Sequence, residues 1–232
     1  MNVVITGSSR GIGFELMKKF ISVPNKLYKV YSLSRNINEQ SQLSKLHENL
    51  FPIKCDITNL VELENALGLI KQKCNTIDII INNAGLLLNK PFLEIDSQEI
   101  DDVFNTNFKS PFFIIKHLFS ELNNSEIAHI VNISSMGGFQ GAQKFSGLSV
   151  YSSSKAALTC LSECLAAEFK DTPIKVNALC IGAVQTEMLS EAFPNYAAPV
   201  SASHMAEFIF NFALNNHRVM NGMIIPVALS TP

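Results

Sequence analysis

Short apolar runs rich in β-branched residues alternate along this chain with longer stretches whose apolar positions recur every three or four residues. The first pattern predicts buried strands near residues 2–6, 28–33, 51–55, 77–81, 127–133, 174–181 and 223–227. The second predicts helices near 12–21, 39–49, 59–73, 97–121, 150–170 and 201–215. Strand and helix alternate without a long linker, repeat or low-complexity segment. That order predicts an α/β fold: a doubly wound parallel sheet of about seven strands with helices on both faces. In such a sheet ligands bind beyond the carboxyl ends of the strands. The Thr6–Gly13 turn, the Asn82–Gly85 turn, Ser135 and the segment after Ile181 all follow strand ends. They are therefore predicted to converge on one edge.

Composition narrows the class. At 232 residues the chain fits one domain, 1–232. It is 47% hydrophobic and 16% charged, which suits a sheet buried on both faces. A formal net charge of -2 gives no reason to expect nucleic acid, and no run of like charge suggests a membrane patch. No stretch reaches the roughly 18 apolar residues of a spanning helix, and a strand from residue 2 leaves no room for a signal peptide. The five cysteines are odd in number and scattered, against a disulfide framework. Cys160 and Cys164 share a helix face, but no histidine cluster supports a metal there. Reduced, buried thiols and a cytoplasmic location are the expectation.

The first strand runs directly into Gly7-Ser8-Ser9-Arg10-Gly11-Ile12-Gly13 and then a helix. Strand, glycine-rich turn and helix in this order form a dinucleotide cradle. Gly7 permits the turn, Gly11 lets backbone approach a pyrophosphate, and Gly13 allows close packing. The phosphates meet the positive end of the helix and its unpaired N–H groups.

Tyr151-Ser152-Ser153-Ser154-Lys155 opens the fifth predicted helix. A spacing of four places Tyr151 and Lys155 on one face. An ammonium beside a phenol favours the phenolate and lowers its pKa from about 10. A phenol so tuned can pass a proton to or from a carbinol oxygen, which a nearby serine hydroxyl can hold. Asn107 lies four residues before Pro111 in the helix predicted over 97–121. Proline has no N–H, so the Asn107 carbonyl loses its helical partner and is free to bind water.

Thr6–Gly13, Asn82-Asn83-Ala84-Gly85, Ser134-Ser135 and Tyr151-x-x-x-Lys155, in this order, resemble the short-chain dehydrogenase/reductase family in its compact one-domain form. The resemblance runs from Met1 to about Pro226. It implies a Rossmann-type domain that moves hydride between a nicotinamide cofactor and a carbonyl or alcohol. By resemblance the catalytic residues are Asn107, Ser135, Tyr151 and Lys155. Tyr151 is the general acid, and Lys155 lowers its pKa and holds the nicotinamide ribose. Ser135, favoured over Ser134, orients the substrate oxygen, and Asn107 holds a water linking the lysine to solvent. Cofactor contacts fall on Gly7, Ser9, Arg10, Gly11, Ile12 and Gly13, then on Ser34, Arg35, Asp56 and Ile57. Further contacts are Asn83, Ala84, Gly85, Gly182, Val184 and Thr186, beside Tyr151 and Lys155.

The cofactor is expected to be NADP(H). NAD sites place an acid after the second strand, whereas here Tyr31-Ser32-Leu33-Ser34-Arg35-Asn36 has none. Arg35 suits a 2′-phosphate, Arg10 adds a second cation, and Ser34 adds a hydroxyl. The substrate is a small carbonyl or alcohol compound, met by loops at about 136–150 and 187–200. Phe139, Gln140, Lys144 and Phe145 belong to the first loop, and Met188, Leu189, Phe193 and Tyr196 to the second. A dedicated 3-oxoacyl thioester or pterin reductase, and an NADP(H)-sensing binding protein, are the competing readings. Lys90, Lys109 and Lys144 would favour an acyl-carrier substrate. Apolar stripes on the helices at 97–121 and 150–170 go with a homodimer or homotetramer in the family. Two departures stand out: Ile181 replaces the usual proline before Gly182, which is expected to loosen the following loop, and no Asp-Gly-Gly follows the last strand.

Overall fold

Every strand of the main sheet runs parallel to its neighbours in this computed structural model, which describes residues 1–229. Residues 230–232 of the expected domain lie outside the described residues. The strands are β1 (Asn2–Thr6), β2 (Lys29–Ser34), β3 (Leu50–Lys54), β4 (Ile79–Asn82), β5 (Ala128–Ser135) and β6 (Ile174–Ile181). There follow two-residue strands β7 (Val184–Gln185) and β8 (Val200–Ser201), and then β9 (Ile224–Val227). The sheet order is β3-β2-β1-β4-β5-β6-β9, so the chain reverses its direction of travel between β1 and β4. That reversal opens a crevice at the carboxyl ends.

The apolar runs are continuous because both faces are buried. In β1, Val3 and Ile5 enter one cluster and Val4 the other. In β4, Ile79 and Ile81 join the first cluster and Ile80 the second. Helices α1 (Gly11–Ile21), α2 (Asn38–Leu43), α3 (Leu60–Lys71), α4 (Ser97–Phe104), α5 (Ser110–His117), α6 (Phe119–Asn123), α7 (Ser149–Glu168), α8 (Glu187–Ala192) and α9 (Ala202–Asn215) surround the sheet. Helices α1 and α9 share the first cluster, where Phe20 meets Tyr28 and Phe210 edge-on at centroid distances of 5.3 and 4.7 Å. Pro226 sits in β9 without cost because β9 is an edge strand. Among the described residues no helix is long and apolar enough to cross a membrane.

Two predicted helices differ. The one expected over 39–49 ends at Leu43, because Leu46 is exposed and no apolar stripe holds further turns. The one expected over 97–121 is interrupted by a π-turn at Asn105–Lys109 and again at Leu118. Pro111 cannot donate a backbone bond. The N–H of Ser110 reaches back to the Asn105 carbonyl, and its hydroxyl donates to the same oxygen at 2.7 Å. Periodicity sees apolar spacing, which a one-residue bulge barely disturbs. The cysteines also divide: Cys55 and Cys180 are buried as expected, whereas Cys160 and Cys164 are exposed on the outer face of α7.

His129 is wholly buried in β5 between two polar partners. Its Nδ1 lies 2.9 Å from the Ala213 carbonyl at the end of α9, and Asn177 Nδ2 donates to Nε2 at 3.0 Å. A carbonyl on one side and an amide donor on the other select the neutral ring with the proton on Nδ1. Burial pushes its pKa down to about 4, more than the Ala213 carbonyl raises it, and His217 lowers it further. In the unfolded chain it would titrate near 6.5, so unfolding takes up a proton between those values. Stability is therefore complete above about pH 6.5 and falls as the pH drops toward 4. The expected loss is about 2 kcal/mol from pH 7 to 5 and about 3 by pH 4. Denaturant midpoints measured across this range should flatten between pH 7 and 5 in His129→Gln. An unchanged slope would show that this ring is not the group responsible.

Candidate active site

The turns that sequence places at strand ends line one cavity of about 780 Å³. The glycine turn forms one wall. Gly7 has φ +69°, and a Cβ at Gly13 would stand 2.3 Å from the Gly7 carbonyl oxygen and 2.4 Å from Asn83 Nδ2. Helix α1 therefore starts hard against the turn and against the loop after β4. That loop is clamped in return. Thr6 Oγ1 accepts the N–H groups of Asn83 and Ala84 at 3.1 and 3.0 Å, and Asn83 Nδ2 donates to the Thr6 carbonyl at 3.0 Å. The first turn of α1 has no acidic residue, and the residue before it, Arg10, makes no side-chain cap. Such a helix start accepts an anion, and the pair of features fits a dinucleotide pyrophosphate.

Arg35 is exposed on the cavity rim beside Asp56. Burial raises the Asp56 carboxyl, but the Thr58 hydroxyl and N–H and the Arg35 charge outweigh it, leaving Asp56 below its usual range. Ser34 lines the cavity, yet its hydroxyl is committed within the turn. It donates to the Asn36 carbonyl at 2.8 Å and accepts Gln40 Nε2 at 2.9 Å. The extra hydroxyl contact expected from Ser34 is thus already taken. Arg10 faces the cavity too, but its guanidinium pairs with Glu191 on α8, Nη2 to Oε2 being 3.2 Å. Glu187 adds to the negative field around it, and both effects hold the arginine's pKa up. Sequence gave no warning of Glu191, which lies 181 residues away.

Tyr151, Lys155, Ser135 and Asn107 come together at the other end. Lys155 is buried and donates to the Ile133 carbonyl at 2.9 Å, with its Nζ 6.0 Å from the Tyr151 ring centre. Burial brings its pKa down to about 8. Ser135 Oγ accepts the Gly137 N–H at 3.1 Å and lies near enough to the Tyr151 phenol to lower its pKa. Burial pushes the phenol above its ordinary value, with Ser135 pulling it back. This differs from the expected lowering by Lys155, because the ammonium is turned to a backbone carbonyl rather than to the phenol oxygen. Ser134 donates to the Lys155 carbonyl at 2.9 Å, leaving Ser135 as the hydroxyl beside Tyr151.

Asn107 is fully buried in the π-turn. Its Oδ1 accepts the Leu86 N–H at 2.8 Å, and its Nδ2 donates to the Leu86 carbonyl and to Ser154 Oγ, each at 2.9 Å. Ser154 donates onward to the Tyr151 carbonyl at 2.7 Å. The side chain thus ties the loop after β4 to the helix that carries Tyr151 and Lys155. Ser154 was missed from sequence, although a serine one residue before Lys155 on the inner helix face was the available signal.

The far wall is the segment from Thr186 to Pro199. Pairing of β7 with β8 clasps its base, and Thr186 caps α8 by accepting the Leu189 N–H at 3.3 Å. Before this segment β6 pairs as far as Ile181, and the Gly182 N–H reaches the Val227 carbonyl at 2.9 Å. Met188, Leu189, Phe193, Tyr196 and Phe145 line the cavity as expected. Phe139, Gln140 and Lys144 do not line it.

A parallel sheet with a glycine turn at its switch point and this cavity at its carboxyl edge defines a Rossmann-type oxidoreductase. The chain belongs to the short chain dehydrogenase family, whose pattern its residues 1–197 match. It is 30% identical to the uncharacterized oxidoreductase YxjF of Bacillus subtilis, over 80% of this chain and 72% of that one. Among solved structures, ElxO with NADP bound is 26% identical and covers 98% of this chain and 96% of its own, at a TM-score of 0.84. A 4-hydroxyisoleucine dehydrogenase complexed with NADH shares the fold at a TM-score of 0.87, with 24% identity over 98% of this chain and 96% of that one.

Proposed function

We propose that this protein reduces the carbonyl of a small molecule to an alcohol, reversibly, with NADP(H). The observation that carries this reading is the Tyr151–Ser135 pair, with buried Lys155 behind it, on the same cavity as the glycine turn. When bound, the reduced nicotinamide supplies a hydride to the carbonyl carbon. Tyr151 gives its proton to the carbonyl oxygen, which Ser135 orients through its hydroxyl. The two-electron reduction is then balanced by that hydride and that proton, and the phenol is reprotonated from solvent. Lys155, whose pKa of about 8 leaves it mostly charged at neutral pH, stabilises the tyrosinate once formed and would hold the nicotinamide ribose. Asn107 fixes the loop and α7 through its side chain, while its own carbonyl, denied an N–H by Pro111, would hold the water of the proton path. Gly7, Ser9, Gly11, Ile12, Gly13, Asn83, Ala84, Gly85, Gly182, Val184 and Thr186 would hold the remainder of the cofactor.

Preference for NADP(H) is supported by Arg35 and Arg10, by the absence of an acid after β2, and by the NADP held in ElxO. Absorbance at the nicotinamide band with NADPH and NADH in parallel, across ketones, aldehydes and 3-oxoacyl thioesters, tests the reading. Faster loss of NADPH supports it, and equal or faster loss of NADH overturns the cofactor assignment.

Arg10 must leave Glu191 to meet a 2′-phosphate. The pair is exposed to solvent and screened, so it holds Arg10 only weakly. Glu191→Gln is therefore expected to tighten NADPH up to about fivefold and to leave NADH nearly unchanged, by calorimetric titration. Arg35→Ala should weaken NADPH about tenfold or more, again sparing NADH. A parallel change in both cofactors would count against these roles.

A further inference from the structure

The charged side chains that line the cavity are not spread evenly. Arg10, Arg35 and Asp56 stand where the first three strands end. Glu187 turns to the glycine turn, its Oε2 3.5 Å from where a Gly11 Cβ would be. Lys155 is fixed on the Ile133 carbonyl. Among the described residues, no other charged side chain lines the cavity. The remaining lining residues are uncharged and include the apolar side chains Leu87, Leu148, Met188 and Phe193. Phe145, from the loop before α7, and Tyr196, from the segment after α8, line the same cavity and are each 49% exposed. Aromatic rings left half-exposed at the rim of an apolar cleft gain area when a ligand covers them. Two of the three lysines that would have received an acidic carrier are engaged elsewhere. Lys90 bonds Glu99 at 2.8 Å, Lys144 donates to the Phe139 carbonyl at 2.7 Å, and neither lines the cavity.

We infer that the substrate is an uncharged ketone bearing a ring or branched hydrocarbon group, gripped between Phe145 and Tyr196, and that compounds carrying a carboxylate or phosphate near the carbonyl are excluded. The inference rests on the reductase reading for its ketone and on the charge map for its apolar body. Exclusion follows because an anion entering this wall loses water and finds no cation. The grip follows because each ring offers apolar area and no charge.

The test uses matched pairs: acetophenone with 4-acetylbenzoate, and cyclohexanone with 4-oxocyclohexanecarboxylate, each under saturating NADPH. The neutral member is expected to have the higher kcat/KM by at least about thirtyfold. Phe145→Ala and Tyr196→Ala should each raise KM for acetophenone about tenfold with kcat little changed, and raise KM for acetone far less. Both side chains are half-exposed on loops, so truncation is not expected to threaten folding. Carboxylates turned over as well as their neutral partners would overturn the inference while leaving the reductase reading intact. So would a KM for acetophenone that neither truncation moves. If no carbonyl is turned over, titration calorimetry of the same pairs decides. Selective binding of the neutral ketone, lost in Phe145→Ala, sustains the apolar site although the reductase reading fails. Equal or absent binding overturns both.

Discussion

Tyr151→Phe is expected to lower turnover by about 10³-fold while NADPH affinity stays within a few-fold. The substitution removes one oxygen and keeps the ring, so packing at the start of α7 is preserved. Lys155 keeps its bond to the Ile133 carbonyl, and Asn107 keeps its hold on Leu86 and Ser154. What disappears is the proton donor, and a positioned general acid contributes about 10²–10⁴ in rate. Single-turnover rates and a separate titration of NADPH make the check. Because burial holds the phenol above its ordinary value, the wild-type tyrosine should stay protonated throughout the neutral range. Retention of activity in the variant would show that another group delivers the proton.

Gly13→Ala should abolish measurable NADPH binding and lower the melting temperature by about 4–10 °C. The new methyl would meet the Gly7 carbonyl at 2.3 Å and Asn83 Nδ2 at 2.4 Å. Neither can yield cheaply. Gly7 N–H is bonded to the Leu33 carbonyl at 2.9 Å, and Asn83 is tied to Thr6 through both its backbone and its amide. Forcing a methyl into packed structure costs about 1–3 kcal/mol, which for a domain this long is a few degrees per kcal/mol. Affinity suffers more than stability, since the displaced atoms form the cofactor cradle itself. Gly68→Ala is the control: Gly68 lies within α3 with nothing within 4 Å of a Cβ. There alanine should be neutral or stabilising by up to about 1 kcal/mol. A Gly13→Ala protein that binds NADPH normally would show that α1 can withdraw from the turn without loss.

Much of the architecture was legible because it is local. Burial of both faces writes itself into β1, β4, β5 and β6 as continuous apolar runs, and all seven long strands lie within two residues of the predicted positions. The glycine turn and the Tyr151–Lys155 spacing were equally readable, since one needs only permissive backbone and the other only helical pitch. Where the expectation failed, the deciding partner lay on another element. Ser34 donates its hydroxyl to Asn36, but also receives Gln40 from the next helix. Lys155 could have faced the phenol, yet the Ile133 carbonyl on the neighbouring strand claims it. His129 finds its partners in Ala213 and Asn177, 84 and 48 residues away.

By itself, then, the sequence determined the strand positions, the cradle and the turns that meet at the cavity, because hydrophobic period, glycine and fixed spacing act over a few positions. Only the tertiary structure decided the strand order, the π-turn that presents Asn107, the Arg10–Glu191 pair and the β7–β8 clasp. Each of these depends on contacts made when distant segments are packed together. A two-residue strand or a single ion pair leaves no period in the chain from which it could be read.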